Sequence, residues 1–287
     1  MTDQQPNLAR RRLIQSTGAS AVAVTALAAA GVAAVSSPAE AQGVNDAAVL
    51  NFALNLEYLE AEFYIRAATG VGLTSADTSG TGYANSVIGG SKVNFTTPAI
   101  QQYANEIAND ELNHVRFLRS GLGSAAVGEP AIDLVNSFIA LGTLIGVPNF
   151  NPFANETNFL IGSYVFEDVG VTAYSGAAAL ISNKQLLSAA ASILAVEAYH
   201  ASEIRTLLFQ AGAGPTTVKI SGVRAMLSGV NDDQGVINSD GSANIVPTDS
   251  NSLTFRRTPR QVLNIVYGAQ NATKGLFFPN GMNGAVK

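Results

Sequence analysis

The sequence predicts an all-α fold, a four-helix bundle with one long crossover, followed by a loop-rich C-terminal extension. Three observations carry this. Residues 46–68, 97–123, 155–181 and 185–212 are long apolar-periodic stretches bounded by turn residues. The longest break between them falls in the middle, dividing the four into two pairs. Both histidines of the chain stand three residues after a glutamate inside such stretches, as Glu111-Leu-Asn-His114 and Glu197-Ala-Tyr-His200.

Taken in order, residues 1–41 read as an export signal rather than as part of the fold. Arg10, Arg11 and Arg12 precede Leu13 and Ile14, an Ala/Val-rich run follows, and Ala39 and Ala41 supply the small residues of a cleavage site. The layout resembles a twin-arginine signal and implies an exported protein, periplasmic or extracellular, with no membrane attachment once the signal is removed. The bundle is expected over 42–212. Its first helix, 46–68, has Asp46 as the expected cap. Residues 69–97 hold no helical period and read as a long surface excursion. The second helix opens on Thr97-Pro98, a cap followed by a proline at the first helical position, and ends at Gly121 and Gly123. A short apolar helix is expected over 130–145. The third long helix carries Gly162, Gly170 and Gly176, which point to close helix–helix approach. Residues 213–287 form the extension, expected to pack on the bundle as loops with one short helix over 258–269.

Composition excludes several function classes. The 287 residues contain no cysteine, so there is no disulfide framework, thiolate metal site or cysteine nucleophile. A formal charge of −5, moving to −6 when residues 1–41 are taken away, argues against nucleic-acid binding. Any metal site must use histidine and carboxylate, a donor set that suits iron or manganese and also accepts zinc.

The candidate site follows from helix geometry. Residues i and i+3 share a face, so Glu111 and His114 project together, as do Glu197 and His200. A dinuclear carboxylate site in a bundle needs that pair twice plus one Glu from each remaining helix. Glu167 is the inward Glu of the third helix. Among Glu57, Glu60 and Glu62 on the first, internal symmetry selects Glu57. Tyr64 follows Glu57 by seven residues, as Tyr174 follows Glu167, whereas the position matching Glu60 is Gly170. The chain thus writes Glu…Tyr then Glu-x-x-His twice. Four carboxylates buried alone would repel, and two divalent cations would cancel their charge. The expected ligands are Glu57, Glu111, His114, Glu167, Glu197 and His200, binding two ions. Tyr64, Tyr174 and Asp110 are expected to hydrogen-bond those ligands. Glu60 and Glu62 are read as solvated or as supporting the ligands, Glu203 as outward or paired near Arg205, and Asp168 as structural.

These motifs resemble the ferritin-like superfamily of carboxylate-bridged dimetal proteins. "LNFALNLEYLEAEFY" (50–64) is similar to the first helix of bacterioferritins, and "DELNHVRFL" (110–118) to their second. The closer resemblance, which includes the tail "FRRTPRQVLNIVYGAQNATKGLFFPNGMNG" (255–284), is to exported ferritin-like domain proteins that include desiccation-related proteins. One departure is Val196, which stands where the first half has Asp110. The resemblance implies iron or manganese reacting with a small oxidant, peroxide or dioxygen, in stress protection. Two alternatives are a non-enzymatic, metal-stabilised desiccation or envelope-stress protein, and iron storage or ferroxidase activity. An oligomer is compatible with each.

Overall fold

The computed structural model describes residues 45–287, so the expected signal over 1–41 lies outside the described residues. Four long helices form two antiparallel pairs. α1 (Asp46–Thr69) packs along α2 (Pro98–Leu122), and, after a crossover containing α3 (Asn136–Ile145), α4 (Glu156–Ala177) packs along α5 (Lys184–Gln210). Among the described helices, none is long and apolar enough to cross a membrane.

The caps explain the helix starts, with two corrections to the sequence reading. Asn45, not Asp46, caps α1, accepting from Ala48 N at 2.9 Å. Asp46 instead accepts the backbone N–H groups of Ser182 and Asn183, tying the start of α1 to the start of α5. Thr97 stands at the N-cap of α2, but its hydroxyl donates to Glu156 Oε1 at 2.8 Å, because Glu156 also gathers the Thr96 and Thr97 N–H groups. Asn155 and Asn183 cap α4 and α5 in the ordinary way.

The two inner helices are buried on every side, Val49 to Tyr64 in α1 and Phe159 to Tyr174 in α4. A helix apolar all round needs cover on all faces, and three segments provide it. The 69–97 segment is one, and it is more than a surface excursion. It forms a helical turn at Ser75–Thr78 and buries Asp77, Thr78 and Val93. Its strand β1 (Val87–Ile88) pairs in parallel with β2 (Ile132–Asp133) of the crossover, in the register Val87 to Ile132. The crossover is the second. Phe138 and Phe153 join Phe159 and Phe166 of α4 around Phe63 of α1, with ring centroids 5.2–5.9 Å from that of Phe63. Each such ring contributes about 1.5–3 kcal/mol through burial.

The C-terminal extension is the third cover. It contains a helix that the sequence reading left as loop, α6 (Gly214–Ser228), as well as the expected α7 (Pro259–Tyr267) with its Thr258/Gln261 capping box. Phe277 packs edge-on against Phe138 and Phe166 at 5.2 and 5.0 Å. Gly176 of α4 lets the chain pass close by, since a Cβ there would overlap the backbone carbonyl of Arg257. Three buried arginines bind the extension to the bundle. Arg205 (α5) and Arg224 (α6) both hold Asp168 Oδ2 of α4 at 2.8 Å, and Arg257 donates to Thr172 Oγ1 of α4 at 3.1 Å while holding Asp232 and Asp233 of the extension at 2.8 and 2.7 Å. Arg205 also donates to the carbonyls of Gln234, Gly235, Asn244 and Ile245. At the chain end, the Asn55 side chain donates to Asn283 O and accepts from Asn283 N, both at 2.9 Å.

Glu62 is buried, which corrects its reading as a solvated residue. It bonds Arg66 Nε and Leu73 N under the 69–97 segment, facing the buried Glu129. Burial, then repulsion from Glu62, pushes the Glu129 carboxyl up from the usual carboxylate range to about 9. The folded chain therefore keeps a proton that the unfolded chain loses near pH 4.5, and this contribution to stability declines as pH rises from there towards 9. Glu129→Gln, which keeps the neutral shape, is expected to flatten the fall in melting temperature between pH 6 and 9. Thermal scans across that range check it, and an unchanged slope would refute a proton held on Glu129.

Candidate metal centre

All six residues picked from the sequence as ligands converge between the helix pairs. Each of the two Glu-x-x-His turns projects both side chains inward, from α2 and from α5, while Glu57 and Glu167 enter from α1 and α4. The four glutamates are at most 1% exposed, His114 is 9% and His200 is 5%. Donor atoms of Glu57, Glu111, His114 and Glu197 all lie within 4.8 Å of one another, and those of Glu111, Glu167 and His200 form a second such group. Glu111 belongs to both. Its Oε2 lies 3.3 Å from His114 Nδ1 and its Oε1 lies 3.1 Å from His200 Nδ1. His114 Nδ1 is also 3.2 Å from Glu57 Oε2, and His200 Nδ1 is 3.6 Å from Glu167 Oε2.

The tyrosines and the acid bind these groups, in a pattern the repeat did not reveal. Tyr64 donates to Glu167 and Tyr174 donates to Glu57, so each half's tyrosine fixes the other half's glutamate. Asp110, on α2, meets His200 Nε2 on α5 at 3.2 Å, again across the halves. Val196, the matching residue of α5, carries no polar side chain for such a contact. Asp168, as expected, points out to its arginines. Glu203 is half-buried and feels Glu106 and His200. Glu60 is buried against the cluster rather than solvated.

The electrostatics show what the protein groups lack. Burial pushes Glu57 up to about 7, with Glu111 adding to it and His114 opposing. Burial, then the neighbouring carboxylates, holds Glu60 and Glu197 well above the usual range. Burial also pushes up Glu111, but His114 and His200 outweigh it and hold that carboxyl low. Both imidazoles are lowered by burial, yet the carboxylates win and bring His114 to about 11 and His200 to about 12. Glu57 Oε2, Glu111 Oε1, Glu167 Oε2, both Glu197 oxygens and His200 Nδ1 are buried with no hydrogen-bond partner. Unpartnered buried polar atoms of this kind are costly. Six of them converging on one core fit cations coordinated by carboxylate and imidazole.

Comparison with known proteins agrees with this geometry. The family model for the Ferritin-like domain matches residues 45–210. The chain is 32% identical over 269 residues to the desiccation-related protein PCC13-62 of Craterostigma plantagineum, covering 84% of this chain and 83% of that one. It is 29% identical over 274 residues to the ferritin-like catalase Nec2 of Nesocodon mauritianus, covering 86% and 87%. With helices, buried Glu/His cluster and both relatives in agreement, this chain belongs to the ferritin-like, desiccation-related protein family.

Proposed function

We propose that this protein holds two divalent ions, iron or manganese, through Glu57, Glu111, His114, Glu167, Glu197 and His200, and disposes of hydrogen peroxide in stress protection. The observation that carries this reading is the convergence of six unpartnered buried donor atoms on one core. Two ions that each change oxidation state supply the two-electron chemistry that peroxide disproportionation requires.

The chain's own residues do the rest. Glu111, which belongs to both donor groups, would be shared between the two ions. Tyr64 and Tyr174 hold one oxygen each of Glu167 and Glu57, leaving the other free for a cation. Asp110 sets the ring orientation of His200. The burial of all four ligand glutamates keeps bulk water from them. The chain has no cysteine, hence no iron–thiolate relay to bring electrons in. Disproportionation, in which one peroxide is oxidised to dioxygen and another reduced to water, needs no external reductant. The relative named as a catalase supports the same choice. Export through the twin-arginine-like N-terminus would place this activity outside the cytoplasm.

A second reading, a metal-stabilised protein without turnover, draws on the relative named for desiccation and on the polar network that locks the extension down. Dioxygen evolution from hydrogen peroxide by the purified protein, loaded with manganese or iron, separates the two. Turnover that is lost on chelation supports the first reading. Stable metal binding with no dioxygen evolved supports the second.

A further inference from the structure

A cavity of about 60 Å³ lies between α4, α5 and the 232–257 segment of the extension. Its walls are largely apolar, formed by Val171 of α4, Ala198 and Ala201 of α5, and Ile245, Pro247 and Phe255 of the extension. One water needs about 10–15 Å³ of such space, so the cavity holds about as many heavy atoms as one six-membered ring. Val246, which also lines it, is exposed, so the space opens to solvent. The cavity backs onto the helix turns that carry the metal ligands. Ala198 and Ala201 adjoin Glu197 and His200, and Asp168 adjoins Glu167. None of the six ligands lines it, so it is a separate space on the other side of those turns.

The polar groups around the cavity decide the charge of an occupant. Arg205 spends all five of its N–H groups, on Asp168 and on the carbonyls of Gln234, Gly235, Asn244 and Ile245. Arg257 is divided among Asp232, Asp233 and Thr172. Arg224 completes the balance, three arginines against three aspartates. An ionic occupant of either sign would find its counter-charge already paired and would lose its own hydration on entering. One buried acceptor is left over. Asp168 is 6% exposed, and both guanidinium groups that hold it reach Oδ2, which leaves Oδ1 to accept. Ser202 and Thr254 add hydroxyls to the lining. We propose that the cavity is a binding site for a small neutral phenol. The ring fills the apolar space beside Phe255, and the hydroxyl donates to Asp168 Oδ1. A rigid ring loses little conformational freedom on binding and gains an aromatic contact, which favours it over an aliphatic alcohol of similar size. The site stands whether or not the metal centre turns over peroxide.

The test follows 4-fluorophenol by fluorine NMR as the purified full chain is added at neutral pH. Saturable binding is expected, with a dissociation constant of about 1 mM or tighter. 4-Fluorobenzoate, an anion under these conditions, should bind at least about tenfold more weakly. Ala198→Leu puts a branched side chain into the cavity and should weaken the phenol about tenfold or more. Ser202→Leu, one turn further along α5 at a half-buried position, should do the same. Tyr199→Ala, which removes an exposed ring from the same helix, should leave binding unchanged. Circular dichroism and melting check that each variant is folded. No saturable binding, equal binding of the benzoate, or an unchanged affinity in both leucine variants would overturn the proposal.

Discussion

Glu111→Ala is expected to empty the centre, taking metal content from about two ions per chain to close to none. No other ligand has this effect, because Glu111 alone belongs to both donor groups. Glu167→Ala, by contrast, should spare one ion. Metal binding by the wild type is also linked to protons. The imidazoles of His114 and His200, at about 11 and 12, are charged at neutral pH, and a cation must displace their protons. Affinity in the wild type should therefore climb as pH rises from 6 to 8, by roughly tenfold per pH unit for each proton displaced. Elemental analysis of the purified variants and a manganese(II) titration at three pH values check both statements. A Glu111→Ala protein that keeps two ions would place the metal elsewhere.

Asp168→Ala should be the most damaging change away from the metal. It leaves Arg205 and Arg224 buried without the carboxylate they share, and Arg224 Nε is already without a partner among the described residues. Breaking a buried ion pair from one side costs about 3–5 kcal/mol. Chemical denaturation should show that loss, whereas removal of the exposed Asp240 should leave the denaturation midpoint close to that of wild type. Limited proteolysis should first cut the 229–257 segment of the variant, because Arg205 is what gathers its carbonyls. A fall below about 1 kcal/mol would mean that apolar packing, not the arginine network, fastens the extension.

The bundle was legible because its chemistry repeats. Two histidines, each three residues after a glutamate, mark two helix faces, and the Glu…Tyr spacing picks Glu57 over its neighbours. What the repeat could not convey is which half serves which. Tyr64 reaching Glu167, and Asp110 reaching His200, are contacts between helices, and the spacing within one helix carries no information on them. Of the two readings of Glu60 and Glu62, solvated or supporting the ligands, burial overturns the first for both, and Glu60 lies against the cluster. An isolated glutamate is normally exposed, and only the cover supplied by the 69–97 segment and by α7 makes these two exceptions. Helix α6 was missed because "GPTTVKISGVRAMLS" mixes glycine and β-branched residues of low helix propensity. Its helicity comes from packing on α4 and α7, with Arg224 as the anchor.

The clasp between Asn55 and Asn283 sets a timetable for the molecule's birth. The two residues are 228 positions apart, so at 5–20 residues per second roughly 10–50 s of synthesis separates them. The first helix waits throughout that interval with a polar side chain meant for a partner not yet made. That contact can close only after residue 283 has been made.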